Sequence, residues 1–443
     1  MSNRILMLPE HFLKWGDGLE VISGGEIAIE DGIITYSGPE RGKGQGNGKE
    51  DSAGETKYDR VIDGRGKLVM PGFVNAHTHA AMSFFRGYAD DMILQDWLEK
   101  RIWPVEAKLE RKDIYWGTLL AVCEMIRGGT TCFADMYFHM DEAAQACLES
   151  GIRASLAQGL VGLDPVKGEA SLEEGINFVR NWHGAGEGRI TAMLGPHAPY
   201  TCPPEYLKKV AAAAETLQTP LHIHLSETRF EVEESLKIHG LRPIELMEKI
   251  GLLEQKVLAA HCVHLTPGEI VALAAKGVAV AHNPGSNLKL GSGVAPLPEL
   301  LKKGVLVALG TDSAASNNNL DMVEEMRLAA LLSKGVLEDP TLIPAAEALS
   351  LATVNGARAL CLEEGAGTLQ EGSKADLIVI NLNTAHLQPL HSIPAHIVYS
   401  AQSGDVETVM VGGNILMEKG ELKTVDLEKI LFETGKITKR LTA

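Results

Sequence analysis

The sequence predicts an α/β protein: a closed (β/α)8 TIM-like barrel joined to a small β domain built by both ends of the chain. Three observations lead there. Between residues 70 and 365, short apolar runs alternate with longer amphipathic segments, as parallel strands covered by helices require. The flanks, 1–69 and 366–443, contain short strand-like runs and tight turns. The length, 443 residues, accommodates one large barrel and a smaller domain. A doubly wound open sheet shares the alternation and ranks second.

At the N-terminal flank, Glu20 to Glu30 partly alternates apolar and polar residues. Asp31-Gly32 follows as a turn before Ile33 to Tyr36, the pattern of a hairpin. The run from Gly38 to Lys57 is rich in Gly, Lys, Glu and Ser and reads as a loop. Strand-like sequence resumes at Arg60 to Asp63 and at Lys67 to Met70. In the central region the apolar runs are Gly129 to Ala134, Ile190 to Leu194, Pro220 to Leu225, Val257 to Ala260, Val278 to Ala281 and Leu306 to Leu309. Amphipathic segments include Asp113 to Arg127, Pro204 to Leu217, Arg229 to His239 and Asp321 to Leu332. The C-terminal flank returns to strands at Leu377 to Asn381 and Val406 to Val411, the latter ending at the turn Gly412-Gly413.

Composition narrows the function. A net charge of −17 repels phosphate backbones and anionic lipid, so nucleic acid and membrane are excluded as expected partners. Six scattered cysteines form no Cys-x-x-Cys pair, which fits free thiols in a reducing compartment. Met1 to Glu20 lacks a basic start followed by an apolar run, and no apolar run is long enough to span a bilayer. A cytoplasmic protein is expected. A homo-oligomer is compatible with this size.

The chemistry begins at Asn75-Ala76-His77-Thr78-His79, after the apolar segment Leu68 to Val74. On a strand, alternate residues share a face, so His77 and His79 can grip one metal ion. A lone His-x-His is common by chance, but others join it. His224 ends one apolar run with Glu227 three residues on, His261 ends another, and Asp312 lies just beyond a third. Parallel barrels build their sites at those C-terminal strand ends. Three histidines and a carboxylate can hold a divalent metal and leave a place for water. Glu227 is placed to carry a proton, His261 to polarise the reacting centre and Asp312 to take the water proton. His222-Ile223-His224 is a second His-x-His, and either histidine could reach the metal.

These residues resemble the amidohydrolase superfamily, in its cytosine-deaminase and chlorohydrolase-like branch. The likeness rests on Pro71-Gly72-Phe73-Val74-Asn75-Ala76-His77-Thr78-His79, His224-Leu225-Ser226-Glu227, Ala260-His261-Cys262 and Gly310-Thr311-Asp312, and it covers nearly the whole chain. It implies a distorted barrel carrying a β-sandwich made from both termini. It also implies one divalent ion, most simply Zn2+ with Fe2+ and Mn2+ as alternatives, held by His77, His79, His224 and Asp312. Glu227 and His261 would then stand beside the attacking water. Leu194 to Tyr200 contains no lysine to bridge two metals, so a mononuclear site is implied.

Within this branch the chain is most similar to methylthioadenosine/S-adenosylhomocysteine deaminases. Supporting stretches are Phe85-Arg86-Gly87, Asp96-Trp97-Leu98, Trp103-Pro104-Val105-Glu106, Asp135-Met136-Tyr137-Phe138, Gly195-Pro196-His197-Ala198-Pro199-Tyr200, His282-Asn283-Pro284 and Ala314-Ala315-Ser316-Asn317-Asn318. The implied reaction converts 5′-methylthioadenosine, S-adenosylhomocysteine, adenosine or 5′-deoxyadenosine to its inosine analogue and ammonia. Glu106 would bind the ribose hydroxyls and His197 the nucleoside. Trp97 would line the sugar or 5′ side, or simply pack. Ser316 would touch the 5′ substituent, or cap a helix. Glu227 and Asp312 would touch the base as well as act on it.

One feature departs from the pattern. Relatives that accept S-adenosylhomocysteine carry arginines near the stretch occupied here by Gln158-Gly159-Leu160 and in the loop after it. Here Gln158 stands first, and Leu163 to Glu174 contains Lys167 but no arginine. Weaker use of S-adenosylhomocysteine is the expectation. The competing reading keeps the site and changes the substrate to a free base or a triazine, for which a ribose-binding Glu106 has little purpose. A barrel kept only as a scaffold is a third, disfavoured by the full set of site residues.

Overall fold

The computed structural model describes residues 3–41 and 58–442. Residues 42–57, most of the Gly- and Lys-rich run, lie outside them.

Eight parallel strands form the barrel: β1 Phe73–Thr78, β2 Thr130–Tyr137, β3 Arg153–Leu160, β4 Ile190–Pro196, β5 Leu221–Leu225, β6 Val257–His261, β7 Ala279–His282 and β8 Leu306–Leu309. Each pairs with the next in chain order. The edges β1 and β8 meet where Asp312 N donates to His77 O at 2.9 Å. The Asn75 side chain spans the same seam, donating to Thr311 Oγ1 at 2.7 Å and accepting from Thr311 N at 2.9 Å. Gly310 is required there, because a Cβ would stand 2.8 Å from His77 N and 2.5 Å from Asn283 Oδ1. The closed barrel is therefore the architecture found, and the open sheet is not.

Strands β2 and β3 are buried at every position, as strands covered on both faces must be. Small side chains from opposite sides of the barrel, including Ala134, Ala157, Ala279, Ala281 and Ala308, pack with Met136 and Met193 into one inner core. Helices seal the outside. Arg229–His239 has Thr228 as its N-cap, Pro267–Lys276 begins with a Thr266/Glu269 capping box, and Met322–Leu337 is capped by Asp321.

Both flanks join in a second, nine-stranded mixed sheet. Its order is Glu421–Leu422, Asn414–Glu418, Val406–Val411, Leu377–Asn381, Arg60–Pro71, Arg4–Trp15, Gly25–Glu30, Ile33–Pro39, with Leu19–Ser23 paired to Arg4–Trp15. The hairpin at Asp31-Gly32 has both residues at positive φ, 50° and 78°. The sheet coils until Ile34 N donates to Ser373 O at 2.9 Å. It encloses a core of Met7, Phe12, Ile27, Ile29, Val69, Leu377 and Met410, drawn from both termini. Arg60–Pro71 is one strand here, not the two short runs that the sequence suggests. The apolar run Leu68 to Val74 serves both sheets, broken at Gly72. The helix Leu427–Thr442, for which the sequence reading made no provision, lies against Arg111–Arg127, and Arg440 pairs with Glu110 and Asp113. No helix among the described residues is long and apolar enough to cross a membrane.

Candidate active site

The strand ends deliver their side chains to one point. His77 and His79 come from the end of β1, His224 from β5, His261 from β6 and Asp312 from just past β8. Ser226, His261, Cys262 and Asp312 all have left-handed backbone, with φ of 52°, 73°, 48° and 61°. Such turns are uncommon for residues with a side chain, and of these four residues His261 and Asp312 line the site cavity.

The hydrogen bonds set the imidazole tautomers. His79 Nδ1 lies 2.6 Å from Met136 O, and His224 Nδ1 lies 2.7 Å from His197 O. A carbonyl can only accept, so both Nδ1 atoms carry the proton and both Nε2 atoms present lone pairs. Those two Nε2 atoms are 3.2 Å apart. Two protonated nitrogens would repel at that distance, so the contact suits a shared cation. Asp312 Oδ1 is 3.4 Å from both His77 Nε2 and His79 Nε2. His77 Nε2 is buried and makes no hydrogen bond among the described residues. The candidate ligand atoms fall into two overlapping triplets, each within 4.8 Å: His77, His79 and His224, and His77, His261 and Asp312.

Electrostatics favour neutral imidazoles. Burial pulls His77 down to about 4 and His197 to about 3, and it pulls His222 and His224 well below the ordinary imidazole value. His261 is different. Burial pulls it down, but the carboxylates of Glu227 and Asp312 outweigh this and raise it. Its Nδ1 bonds to Asn287 Oδ1 at 2.8 Å, and its Nε2 lies 3.9 Å from Glu227 Oε2. Burial also raises Glu227 above the usual carboxyl range.

Around these groups lies a cavity of about 1060 Å³, mouth included. His79, His224, Glu227, His261 and Asp312 line its floor, with Glu106, His197, Trp97 and Ser316 on its walls. Every site residue expected from the sequence is therefore brought together, with His77 directly beneath. Glu106 accepts a hydrogen bond from the Tyr137 hydroxyl, and burial raises its pKa. Trp97 is buried and donates to Ala89 O at 2.9 Å, so it both packs and lines the wall. Ser316 caps no helix; its hydroxyl donates to Asp312 Oδ2 at 3.0 Å.

Sequence reasoning missed several supports. His222 is fully buried and lies 2.8 Å through Nε2 from His77 Nδ1, so it turns the His77 ring rather than competing with His224. Asp135 Oδ1 accepts from Thr78 Oγ1 at 2.9 Å and from Ala80 N at 2.7 Å, clamping the chain on both sides of His79. The signals in the sequence were the His-x-His spacing for His222 and the stretch Asp135-Met136-Tyr137-Phe138 for Asp135, and neither told the role.

The model of the amidohydrolase family matches residues 68–416. The chain belongs to that family. It is 56% identical over 421 residues, 95% of each chain, to 5-methylthioadenosine/S-adenosylhomocysteine deaminase of Moorella thermoacetica. It is 49% identical over 423 residues, 95% of this chain and 94% of the other, to 5′-deoxyadenosine deaminase of Methanosarcina acetivorans. A crystal structure of an adenosine deaminase from Xanthomonas campestris with bound zinc superposes with a TM-score of 0.91 at 33% identity, covering 99% of this chain and 98% of that one.

Proposed function

We propose that this amidohydrolase deaminates adenine nucleosides, releasing the inosine analogue and ammonia, and that it prefers a small, uncharged 5′ substituent. The observation that carries the reading is the convergence of four metal-type ligands, three of them lining the cavity that also holds the Tyr137-bonded Glu106 carboxylate. The substrates named for its relatives are adenine nucleosides, which supports the same class.

The donor set fits one divalent ion. His77, His79, His224 and Asp312 would hold it, and neutral imidazoles with one carboxylate suit zinc, with iron(II) and manganese(II) as alternatives. An ion there supplies water acidic enough to act as a nucleophile at neutral pH. The remaining work falls to side chains. Glu106 accepts from the two vicinal ribose hydroxyls and His197 contacts the nucleoside, with Trp97 and Ser316 along the 5′ side. Glu227, whose carboxyl burial raises above its usual range, delivers a proton to the purine ring nitrogen as a carbon–oxygen bond forms at the amino-bearing carbon. His261 donates to the added oxygen, and Asp312 takes the water proton and returns it to the departing amine. The carbon–nitrogen bond breaks and ammonia leaves while the remaining proton on the added oxygen passes to Glu227, which gives the 6-oxo product and restores the acid.

The 5′ preference follows from charge. Trp97, Leu98, Trp103, Phe138 and Leu163 line the outer cavity, and no lysine or arginine is among its described lining residues. Gln158 faces the adjoining cavity, where Lys167 stands with Asp164 and Glu174. A homocysteine carboxylate there meets one lysine, a mobile point charge in a cavity that two carboxylates also line, and no arginine fork. The reading also assigns residues 70–365 to the catalytic barrel and 1–69 and 366–443 to the small domain, in a cytoplasmic enzyme whose cysteines are free.

An ultraviolet assay of adenine-to-hypoxanthine conversion across 5′-substituted nucleosides tests this. The expected kcat/KM for S-adenosylhomocysteine is at least about 10-fold below that for methylthioadenosine. Equal efficiencies refute the 5′ preference, and no turnover of any nucleoside by metal-loaded protein refutes the deaminase reading.

A further inference from the structure

Glu231 takes no part in the chemistry above, yet it is bonded to the turn that carries Glu227. It is 5% exposed and stands in the first turn of the helix Arg229–His239. Its carboxylate turns back along the chain: Oε1 accepts from Ser226 N and Oε2 from Glu227 N, each at 2.8 Å. Both oxygens are thus committed to the two consecutive amides that lead into the Glu227 side chain.

Ordinary helix capping does not explain this. Thr228 is the N-cap, and its hydroxyl accepts from Glu231 N at 3.1 Å. A capping-box glutamate at this position would bond the amide of Thr228 itself. Glu231 bypasses that amide and reaches one and two residues further upstream. The turn it reaches is strained, since Ser226 has φ 52°. The opposite side of that turn is also held: Ser226 O accepts from Val263 N at 3.0 Å and from His264 N at 2.9 Å, just beyond His261. The backbones carrying Glu227 and His261 therefore form one hydrogen-bonded unit, and Glu231 closes it.

We propose that Glu231 is a positioning residue for the proton transfer, holding the Glu227 backbone so that its carboxyl group stays in line with the reacting ring nitrogen. The proposal rests on Glu227 as the proton carrier. A misplacement of about 1 Å at such a group is enough to slow the reaction about 100-fold. Glu231→Gln tests it: the size is kept, but one oxygen facing an amide N–H becomes an NH2 group that cannot accept.

The expected result is a fall in kcat of about 10- to 100-fold with KM changed less than about threefold and bound metal per subunit unchanged. Affinity for a stable tetrahedral analogue of the hydrated purine nucleoside falls with kcat/KM, while affinity for the inosine-type product holds. A merely structural role lowers the melting temperature and leaves kcat per active site and analogue affinity in place. Glu227→Gln and the double variant are measured alongside. If Glu227→Gln leaves kcat intact, the proton-carrier reading fails. If Glu227→Gln abolishes turnover and Glu231→Gln does nothing, only the positioning proposal fails. In the Glu227→Gln background, Glu231→Gln causes no further loss of the residual rate; full additivity overturns the proposal. Loss of metal in step with activity also overturns it. Should Glu231→Gln not fold, Glu231→Asp is measured in the same way, and if neither folds the proposal is wrong.

Discussion

Replacing Glu325 with glutamine changes how the stability of the fold depends on pH. Glu325 is fully buried in the helix Met322–Leu337 and ties two site loops together. It accepts from Gly285 N at 2.9 Å and from Asn317 Nδ2 at 2.7 Å. Burial raises its carboxyl from an ordinary 4.5 to about 8, against the pull of those two donors. The unfolded chain releases this proton near the ordinary value, whereas the folded chain keeps it to about 8. Between those two values the fold binds more protons than the unfolded chain, so stability falls as pH rises. The contribution is complete below the lower value and lost above the upper one. At about 1.36 kcal/mol per pH unit the interval corresponds to roughly 5 kcal/mol at most. An unfolding entropy of about 2.1 cal/mol/K per residue, over 443 residues, is about 0.9 kcal/mol/K, so the shift amounts to roughly 5 °C. Glutamine cannot titrate. It also places a donor opposite Asn317, which costs about 1–2 kcal/mol at every pH. The readout is therefore the slope and not the offset. Thermal unfolding of both proteins between pH 5 and pH 8.5 should show the wild type losing several degrees relative to the variant. Parallel curves would refute the reasoning.

Two further perturbations act on separate parts of the molecule. Asp376 accepts from Arg153 Nε and from Gly412 N, each at 2.7 Å, joining barrel strand β3 to the terminal sheet. Asp376→Ala removes the close buried partner of the Arg153 guanidinium, leaving it Gly188 O at 3.3 Å and the half-exposed Glu363 at 3.8 Å, and should destabilise the protein by about 3–5 kcal/mol, seen as a melting temperature several degrees lower; a change under about 1 °C would contradict this. His222→Ala frees the His77 ring and should weaken metal binding about 10- to 100-fold in competition with a chelator, with the fold intact by circular dichroism. Unchanged metal affinity would remove His222 from the site.

The barrel and the metal ligands were readable because parallel strands and their C-terminal ends obey a shared grammar. Val257 to Ala260 followed by His261, and Leu306 to Leu309 followed closely by Asp312, each show an apolar run ending in a chemically active residue. The strand Arg153–Leu160 was not readable, because RASLAQGL contains too little β-branched or aromatic character to stand out from its surroundings. The roles of Asp135, Glu231 and Glu325 were hidden for another reason. Glu231 and Glu325 lie on helices where exposure is the ordinary expectation for an acid, and Asp135 follows an apolar run whose pattern does not say what its carboxylate holds; only the tertiary fold turns all three against backbone amides. His222 was ambiguous because alternation puts it on the same face as His224 and says nothing of depth. In the terminal sheet the strands were visible one by one, but the order that sets Arg60–Pro71 between Leu377–Asn381 and Arg4–Trp15 is a long-range property that no local pattern encodes.

The most direct test of the central claim is a metal titration followed by the nucleoside assay. The protein is stripped with a chelator and reloaded stepwise with zinc, iron(II) or manganese(II), and bound metal and adenine deamination are measured at each step. A single site built from His77, His79, His224 and Asp312 predicts turnover rising in proportion to occupancy and levelling at one ion per subunit. Turnover in the stripped protein, or a plateau reached only at two ions, would contradict it.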